Sequence, residues 1–273
     1  MEQRDVLLEV RNLCVEFRTA EGAVQAVREL SYTLHTGEKL GIVGESGSGK
    51  SVSSLGIMRL IPDPPGRITQ GEIFFHGEDL LKKSEREMRL IRGNDISMIF
   101  QEPMTSLNPL MKVGHQIEEV LRIHTDKSPA EMKALALEVM EKVGLPDPPA
   151  TYEKYPHQLS GGQRQRAMIA AAFIIDPKLL LADEPTTALD VTVQAQIIEL
   201  LKRINVNRGI GILFISHDLH VVRKLCTRVA VMHGGRIVET GPTEEVFHHP
   251  QDDYTKRLIA AIPTREKRKR THG

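Results

Sequence analysis

A glycine-rich segment at residues 44–51 constrains the fold of this chain more than any other feature. It reads Gly-Glu-Ser-Gly-Ser-Gly-Lys-Ser, fits the pattern G-x-x-x-x-G-K-[ST], and lies between a short apolar segment, Leu40–Val43, and a predicted helix, Ser51–Leu60. Glycines let the backbone wrap around a phosphate chain so that several N–H groups point at its oxygens, while the positive end of the helix faces the anion. The pattern predicts a phosphate site between a buried strand and a helix. The flanking elements disfavour the alternative, an ordinary tight turn.

Two side chains of this segment have predicted roles in binding a nucleotide. Lys50 would reach the β- and γ-phosphates, and Ser51 would coordinate Mg²⁺. The predicted nucleotide-binding residues of the segment are Gly44, Glu45, Ser46, Gly47, Ser48, Gly49, Lys50, Ser51 and Val52.

An apolar strand that ends in two carboxylates, Leu179–Glu184, supplies a second set of candidate residues. Asp183 would hold Mg²⁺ through a water molecule, and Glu184 would polarise the attacking water as a general base. A strand followed by an acidic turn is common, so this pattern alone does not predict a nucleotide site. The glycine-rich segment upstream supports that interpretation.

The segment Leu159–Gln163 begins a predicted helix and forms a second candidate anion site. Ser160 can cap the helix, and Gly161 and Gly162 leave its first N–H groups bare. One chain rarely needs two such sites for one nucleotide, so we expect this one to face a nucleotide held by a partner subunit. A plain helix cap is the alternative interpretation.

Charge and composition exclude several classes of protein. Lysine plus arginine and aspartate plus glutamate each number 36, and this neutral total argues against a bulk electrostatic binder of nucleic acid. No segment approaches the ~18 apolar residues of a membrane span, and the first residues lack the apolar stretch of a secretory signal. The two cysteines, Cys14 and Cys226, are far apart, which suits a reducing compartment and predicts a cytosolic protein without a four-cysteine iron–sulfur site.

The order of patterns along the chain predicts an α/β fold with two additions. Alternating apolar residues in the first 80 positions indicate antiparallel strands, and strand–helix alternation after residue 160 indicates a parallel sheet. We predict a core from residues 1–101 and 161–245, a helical insertion at 102–160, and a C-terminal extension at 246–273 with a basic tail.

Residues 44–51, Leu159–Gln163 and Leu179–Glu184 resemble, in order and spacing, the Walker A, signature and Walker B motifs of ATP-binding cassette (ABC) ATPases. The resemblance implies a P-loop NTPase core with an antiparallel β-subdomain and an inserted α-helical subdomain. It also implies transport-coupled ATP hydrolysis with ATP and Mg²⁺, in which Ser160, Gly161, Gly162 and Gln163 of one subunit close on ATP held by another.

Four further positions are similar to functional positions of that family. Gln101 matches a glutamine that contacts Mg²⁺ and senses the γ-phosphate. His217 matches a histidine that contacts the γ-phosphate, so the implied catalytic residues are Glu184, His217 and Lys50. Asp190, in the segment 188–190, matches the D-loop. Phe17 lies where family members place an aromatic ring against adenine, and a core phenylalanine of a strand is the alternative there.

The finer resemblance is to the peptide and nickel importer branch, through the segments Gln101–Pro109, Ala182–Thr192 and His249–Thr255. It implies the energy-coupling subunit of an importer for di- or oligopeptides, with nickel or a metal chelate as the alternative solute. Many members carry a cysteine-containing C-terminal region that can hold an iron–sulfur cluster, and the absence of any cysteine beyond Cys226 predicts no such cluster here.

The implied partners are a second ABC ATPase subunit, a non-identical one in preference to a copy of this chain, two membrane-spanning permease subunits and, indirectly, an extracytoplasmic solute-binding protein. The implied location is the cytoplasmic face of the cell membrane, with no nucleic acid bound. A soluble ABC ATPase acting on nucleic acid or ribosomes, and a P-loop kinase or GTPase, are the alternatives from other classes. The basic run Arg265–Arg270 could contact an anionic membrane surface or nucleic acid, or form a solvated tail.

Overall fold

The structure is a computed structural model that describes residues 5–101, 106–187 and 189–261. The strands of these ranges are β1 (Val6–Thr19), β2 (Gly22–His35), β3 (Lys39–Val43), β4 (Gly66–Phe75), β5 (Glu78–Asp79), β6 (Ile96–Ile99), β7 (Leu179–Asp183), β8 (Gly211–Ser216), β9 (Arg228–His233) and β10 (Arg236–Pro242). They form an antiparallel sheet in the order β2-β1-β4-β5 and a six-stranded sheet in the order β10-β9-β3-β8-β7-β6.

Helices connect and cover these sheets. They are α1 (Lys50–Ile57), α2 (Glu85–Ile91), α3 (Val113–His124), α4 (Pro129–Lys142), α5 (Pro148–Tyr152), α6 (Gly161–Phe173), α7 (Val191–Arg208), α8 (Leu219–Leu225), α9 (Thr243–His248) and α10 (Asp253–Ala260). The predicted boundaries at 102–160 and 246–273 stay predictions, and the basic run Arg265–Arg270 lies outside the described residues.

The six-stranded sheet brings the candidate residues together because its central strands run in one direction. β3 pairs in parallel with β8 and β9, and β7 pairs in parallel with β6 and β8. Residues 44–51 follow β3, Glu184 follows β7, and His217 follows β8. Since the carboxyl ends of parallel strands lie at the same edge of a sheet, these three segments meet there. The predicted parallel sheet is confirmed.

The smaller sheet confirms the predicted antiparallel strands near the start of the chain. β1 pairs antiparallel with both β2 and β4, which places Leu8 opposite Leu34 and Val10 opposite Tyr32. All four side chains are buried, as expected when every second residue of a strand points to the core.

The first helix ends earlier than the predicted Ser51–Leu60. The α1 helix stops at Ile57, and Arg59 adopts a left-handed backbone with φ +51°. The Leu60 N–H donates to the Leu55 carbonyl at 2.8 Å and the Arg59 N–H to the Gly56 carbonyl at 3.0 Å. This pair of hydrogen bonds is the Schellman arrangement, so the helix closes on itself before the prolines that follow.

The segment Ser128-Pro129-Ala130-Glu131 predicts the start of a helix, and α4 begins there with a reciprocal capping box between Ser128 and Glu131 and proline at its first position. Apolar residues at helical spacing, Met132, Leu135, Val139 and Val143, predict one buried face, and the structure confirms Met132 and Val143 but not Leu135 and Val139. These two side chains are only half-buried in the structure. The fully buried face of the helix carries Met132, Ala136 and Met140.

Candidate nucleotide-binding site

The phosphate loop, residues 44–51, lies so close to neighbouring strands that two of its positions exclude a side chain. A Cβ added to Gly44, which has φ +157°, would lie 2.1 Å from the Met232 carbonyl oxygen. A Cβ added to Gly49, which has φ +98°, would lie 2.3 Å from the Ala26 carbonyl oxygen. Glycine at both positions therefore lets the backbone pack directly against these strands as it curves into the start of α1.

Lys50 is buried and turned toward the loop itself. Its Nζ donates to the carbonyl oxygens of Gly44 and Glu45, each at 2.8 Å. Burial lowers the pKa of the Lys50 ammonium, and the neighbouring carboxylates of Glu184 and Asp183 oppose that shift. The loop thus holds a cation at its centre.

Ser51 and Asp183 join the start of α1 to the end of β7. The Ser51 hydroxyl donates to Oδ1 of Asp183 at 2.8 Å. Burial raises the pKa of Asp183 to about 6; the charge of Glu184 adds to this, while the Ser51 hydrogen bond and Lys50 oppose it. A hydroxyl and a carboxylate side by side are oxygen ligands of the kind that Mg²⁺ prefers, so these residues fit the predicted metal role.

The carboxylate of Glu184 contacts residues that follow three neighbouring strands, β6, β7 and β8. Its Oε2 accepts a hydrogen bond from Gln101 Nε2 at 3.1 Å and from Thr187 Oγ1 at 2.9 Å, and lies 3.0 Å from Nδ1 of His217. The Glu184 side chain is 11% exposed and that of His217 is 55% exposed. The buried carboxylate of Glu184, with the solvent-exposed His217 beside it, could therefore contact a reactant that binds at this edge of the sheet.

Thr187 was missed by the sequence analysis. It lies three residues after Glu184, and its N–H also donates to the Glu184 carbonyl oxygen at 3.1 Å. The repeated threonines in Glu184-Pro185-Thr186-Thr187 were the available signal, since threonine hydroxyls in tight turns form local hydrogen bonds. The neighbouring Ala188 of the predicted D-loop lies outside the described residues, as do residues 102–105 after Gln101.

The signature segment, Leu159–Gln163, forms the start of α6 and completes its own cap. The Gln163 N–H donates to Ser160 Oγ at 3.3 Å, and the Ser160 N–H donates to Gln163 Oε1 at 3.0 Å. A Cβ on Gly161 would meet open space, whereas one on Gly162 would lie 2.9 Å from the Val193 side chain. Within the described ranges, no hydrogen bond or ion pair joins residues 160–163 to the phosphate loop or Glu184.

Asp190 and Phe17 lie at the margins of this arrangement. Asp190 caps α7 by accepting the N–H groups of Thr192 and Val193 at 3.0 and 2.9 Å. Phe17 is half-buried in β1, and its ring lies over Gly66, where an added Cβ would be 2.6 Å from the ring. Its contact with adenine stays a prediction.

Comparisons with known proteins point in one direction. A profile of the family described as ABC transporter matches residues 27–187. The oligopeptide transport ATP-binding protein OppD of Bacillus subtilis (strain 168) is 55% identical over 260 residues, which is 95% of this chain and 73% of that protein. The dipeptide transport ATP-binding protein DppD of the same organism is 50% identical, over 94% of this chain and 77% of its own length.

Two further relatives extend this pattern. The peptidoglycan transport ATP-binding protein YejF of Agrobacterium fabrum is 52% identical, and the chain spans 48% of its length. Among solved structures, the ATP-binding cassette MJ0796 as a dimer bound to ADP and Pi superimposes with a TM-score of 0.78 and 28% identity, over 86% of this chain and 98% of that one.

Proposed function

This chain belongs to the ABC transporter family as an ATP-binding and ATP-hydrolysing subunit, and on that premise we propose that it powers the import of di- or oligopeptides across a cell membrane. The observation that carries the proposal is the convergence of Gln101, Thr187 and His217 on Glu184, next to Lys50. Peptide import is favoured because OppD, DppD and other similar proteins are named for oligopeptide, dipeptide or peptide transport.

In this proposal the phosphate loop binds the triphosphate of ATP. Lys50 leaves the Gly44 and Glu45 carbonyls, which it holds at 2.8 Å, and turns to the β- and γ-phosphates. The N–H groups at the start of α1 face the same anion. Phe17 is proposed to contact the adenine ring.

Ser51 and Asp183 would hold Mg²⁺, Asp183 through a water molecule, with Gln101 as a third contact. When bound, the ion would neutralise charge on the phosphate oxygens. The residues themselves keep two oxygens aligned, because the Ser51 hydroxyl already lies 2.8 Å from the Asp183 carboxylate.

Glu184 would act as the general base for hydrolysis. As water attacks the γ-phosphorus, one proton passes to the Glu184 carboxylate while the bond from phosphorus to the bridging oxygen breaks and its electron pair stays on ADP. The hydrogen bonds from Gln101 and Thr187 hold the carboxylate in place. His217, which is more exposed, would contact the γ-phosphate.

The signature segment would complete the site from another subunit. Its exposed cap at Ser160 and Gly161 presents a helix N-terminus to solvent, where a γ-phosphate of a facing subunit could be bound. The solved structures of the cassette MJ0796 are dimers, which supports a contact between two such subunits. We propose a non-identical ATPase subunit as the partner, with Asp190 near the contact.

Membrane-spanning permease subunits are the proposed partners of the helical region. A cavity of about 370 Å³ lies between this region and the core, and Phe100, with 40% of its surface exposed, lines it directly before Gln101. When the γ-phosphate is released, a shift of Gln101 would move Phe100 and so change the surface that a permease subunit contacts. No helix in the described part of the chain is long and apolar enough to cross a membrane. We propose that the subunit acts at the cytoplasmic face, with a solute-binding protein on the other side.

Replacement of the proposed base tests this function. We expect cells whose only copy of the gene carries Glu184→Gln to lose uptake of a radiolabelled alanine tripeptide, while uptake of radiolabelled Ni²⁺ stays normal. The matched control is Glu199→Gln, which makes the same chemical change at an exposed glutamate of α7 outside the proposed site. Its Oε2 lies 3.9 Å from Nζ of Lys202. Loss of Ni²⁺ uptake alone would instead assign the metal solute, and normal uptake of both would contradict the proposal.

A further inference from the structure

The side chain of Tyr254, in helix α10, reaches the phosphate loop. The backbone N–H of Glu45 donates to the hydroxyl oxygen of Tyr254 at 3.0 Å, across 209 positions of sequence. Tyr254 is only 6% exposed. Its ring stacks on His233 at the end of β9, with 3.9 Å between ring centroids and 27° between ring planes. The hydroxyl is therefore held against the loop by a ring that is itself fixed.

The chain before α10 is tied to the core sheet, which sets the position of Tyr254. The two carboxylate oxygens of Glu239, in β10, accept the N–H groups of Gln251 at 2.8 Å and Asp252 at 3.0 Å. Asp252 then caps the helix by accepting the N–H of Tyr254 at 2.8 Å. These bonds place the helix by contacts with β10, independently of any nucleotide.

The Glu45 peptide is held from two directions. Tyr254 accepts its N–H from the outside, and Lys50 donates to the carbonyls of Gly44 and Glu45 from the inside. In the proposed function, Lys50 leaves those carbonyls to bind phosphate. The bond to Tyr254 can persist, because it involves neither Lys50 nor the N–H groups at the start of α1.

We propose that Tyr254 is a positioning residue for nucleotide binding, which holds the first half of the phosphate loop in the shape that accepts a triphosphate before the nucleotide arrives. The inference rests on the proposed phosphate-binding role of the loop. A loop that is already ordered loses less conformational freedom on binding, so its ligand binds more tightly. The bond lies outside the Glu184 cluster, and so it affects the affinity for nucleotide and not the chemical step.

The variant Tyr254→Phe tests this role, because it deletes the hydroxyl and keeps the ring that stacks on His233. In the purified full chain we expect the Kd for MgATP and for ADP, measured by calorimetry, to rise about three- to tenfold. The KM for ATP should rise by a similar factor while kcat changes by less than about twofold.

A neighbouring hydroxyl provides the matched control. Thr255 follows Tyr254 on the same helix, and its buried Oγ1 has no hydrogen-bond partner among the described residues. Thr255→Val keeps the shape and removes only this hydroxyl, so both Kd values should stay at the wild-type level. An equal loss of affinity in this variant would mean that any change in α10 weakens binding, and would overturn the specific role of Tyr254.

Two further variants separate the inference from its premise. If Lys50→Ala loses nucleotide binding while Tyr254→Phe binds like the wild type, the positioning role is wrong and the loop assignment stands. If Lys50→Ala binds normally, the loop assignment itself fails. In a Glu45→Pro background, which lacks the N–H donor, Tyr254→Phe should have no additional effect on Kd; a full additional effect would show that the hydroxyl acts elsewhere.

Discussion

Two helix N-termini of this chain are suited to bind an anion, those of α1 and α6, and their surroundings differ. At the phosphate loop, the side chains of Lys50 and Asp183 are almost fully enclosed, and Glu184 is also buried. At the signature segment, Ser160 and Gln163 satisfy each other and Gly161 faces open space. The first is enclosed by residues of its own chain, whereas the second makes no hydrogen bond or ion pair to the phosphate loop or Glu184 within the described ranges. This contrast is the physical basis for expecting ATP to be held between two subunits.

Removing the cation of the phosphate loop should have the largest effect. We expect Lys50→Ala to weaken MgATP binding by at least about 100-fold, because the loop then lacks the charge that faces the phosphates. Calorimetric titration of the full chain measures the effect. Lys202→Ala, which changes a lysine on the surface of α7 near Glu199, is the control. Binding by Lys50→Ala at the wild-type level would remove the distinction between the two helix starts.

A charge at the other helix start should act on hydrolysis and not on binding. Gly161→Asp adds a carboxylate where an added Cβ meets open space, and an acidic residue in the first turn favours the helix. We expect ATP hydrolysis to fall about 10- to 100-fold, because the carboxylate would repel the γ-phosphate on a facing subunit. The Kd for ATP of the single chain should stay unchanged, and its Tm should not fall.

Gly161→Ala is the neutral control for that charge, and its hydrolysis should lie much nearer the wild-type rate. Weakened ATP binding to isolated Gly161→Asp chains would place the signature segment beside the chain's own nucleotide. That result would contradict the proposed role across two subunits.

The buried carboxylate of Asp183, next to the phosphate loop, should lower the free energy of unfolding of the folded chain above pH 6. The pKa of Asp183 is raised from 3.8 to about 6, so the folded chain binds this proton more tightly than the unfolded chain. The associated free energy of unfolding is fully present below pH 3.8 and is lost as the pH rises through 6. Asp183→Asn cannot ionise, so it should be more stable than the wild type by roughly 2 to 3 kcal/mol at pH 8.

Thermal unfolding of the Mg²⁺- and nucleotide-free protein at pH 8 and pH 4 measures this difference. The advantage of Asp183→Asn should largely disappear at pH 4, which lies close to the unfolded pKa of 3.8. Ser160→Ala, at the exposed helix start, should instead lose about 1 kcal/mol at both pH values, because a helix cap does not titrate there. An advantage of Asp183→Asn that is equal at both pH values would contradict the burial of a charge.

The smallest expected effect concerns the residue that the sequence analysis missed. Thr187→Val removes the hydroxyl that donates to Glu184 at 2.9 Å, while Gln101 still donates to the same carboxylate. We expect kcat to fall about three- to tenfold with an unchanged KM for ATP, as measured by phosphate release. A higher KM with an unchanged kcat would assign Thr187 to nucleotide binding.

Features carried by contiguous residues could be predicted from the sequence. The phosphate loop and the two carboxylates at the end of β7 are read directly from short motifs. The adjacent glycines Gly234 and Gly235 likewise indicate a turn, and they take positive φ angles of 55° and 84° between β9 and β10. Such features depend on local backbone geometry, which neighbouring residues determine.

Features that depend on tertiary packing could not be predicted in the same way. The buried face of α4 was predicted only in part, because Leu135, Ala136 and Val139 are all apolar and only the packing of the helices decides which of them is buried. The bond from Tyr254 to Glu45 joins residues 209 positions apart. Nothing in the local sequence of either residue indicates the other.

The backbone of Glu184 has a consequence for protein engineering. Its φ of +46° lies in the left-handed region, which glycine and asparagine adopt with less strain than glutamate. A screen that selects variants at this position for heat resistance alone should therefore enrich glycine and asparagine. Neither of these supplies a carboxylate, so the most heat-resistant proteins from such a screen would be those least able to turn over their substrate.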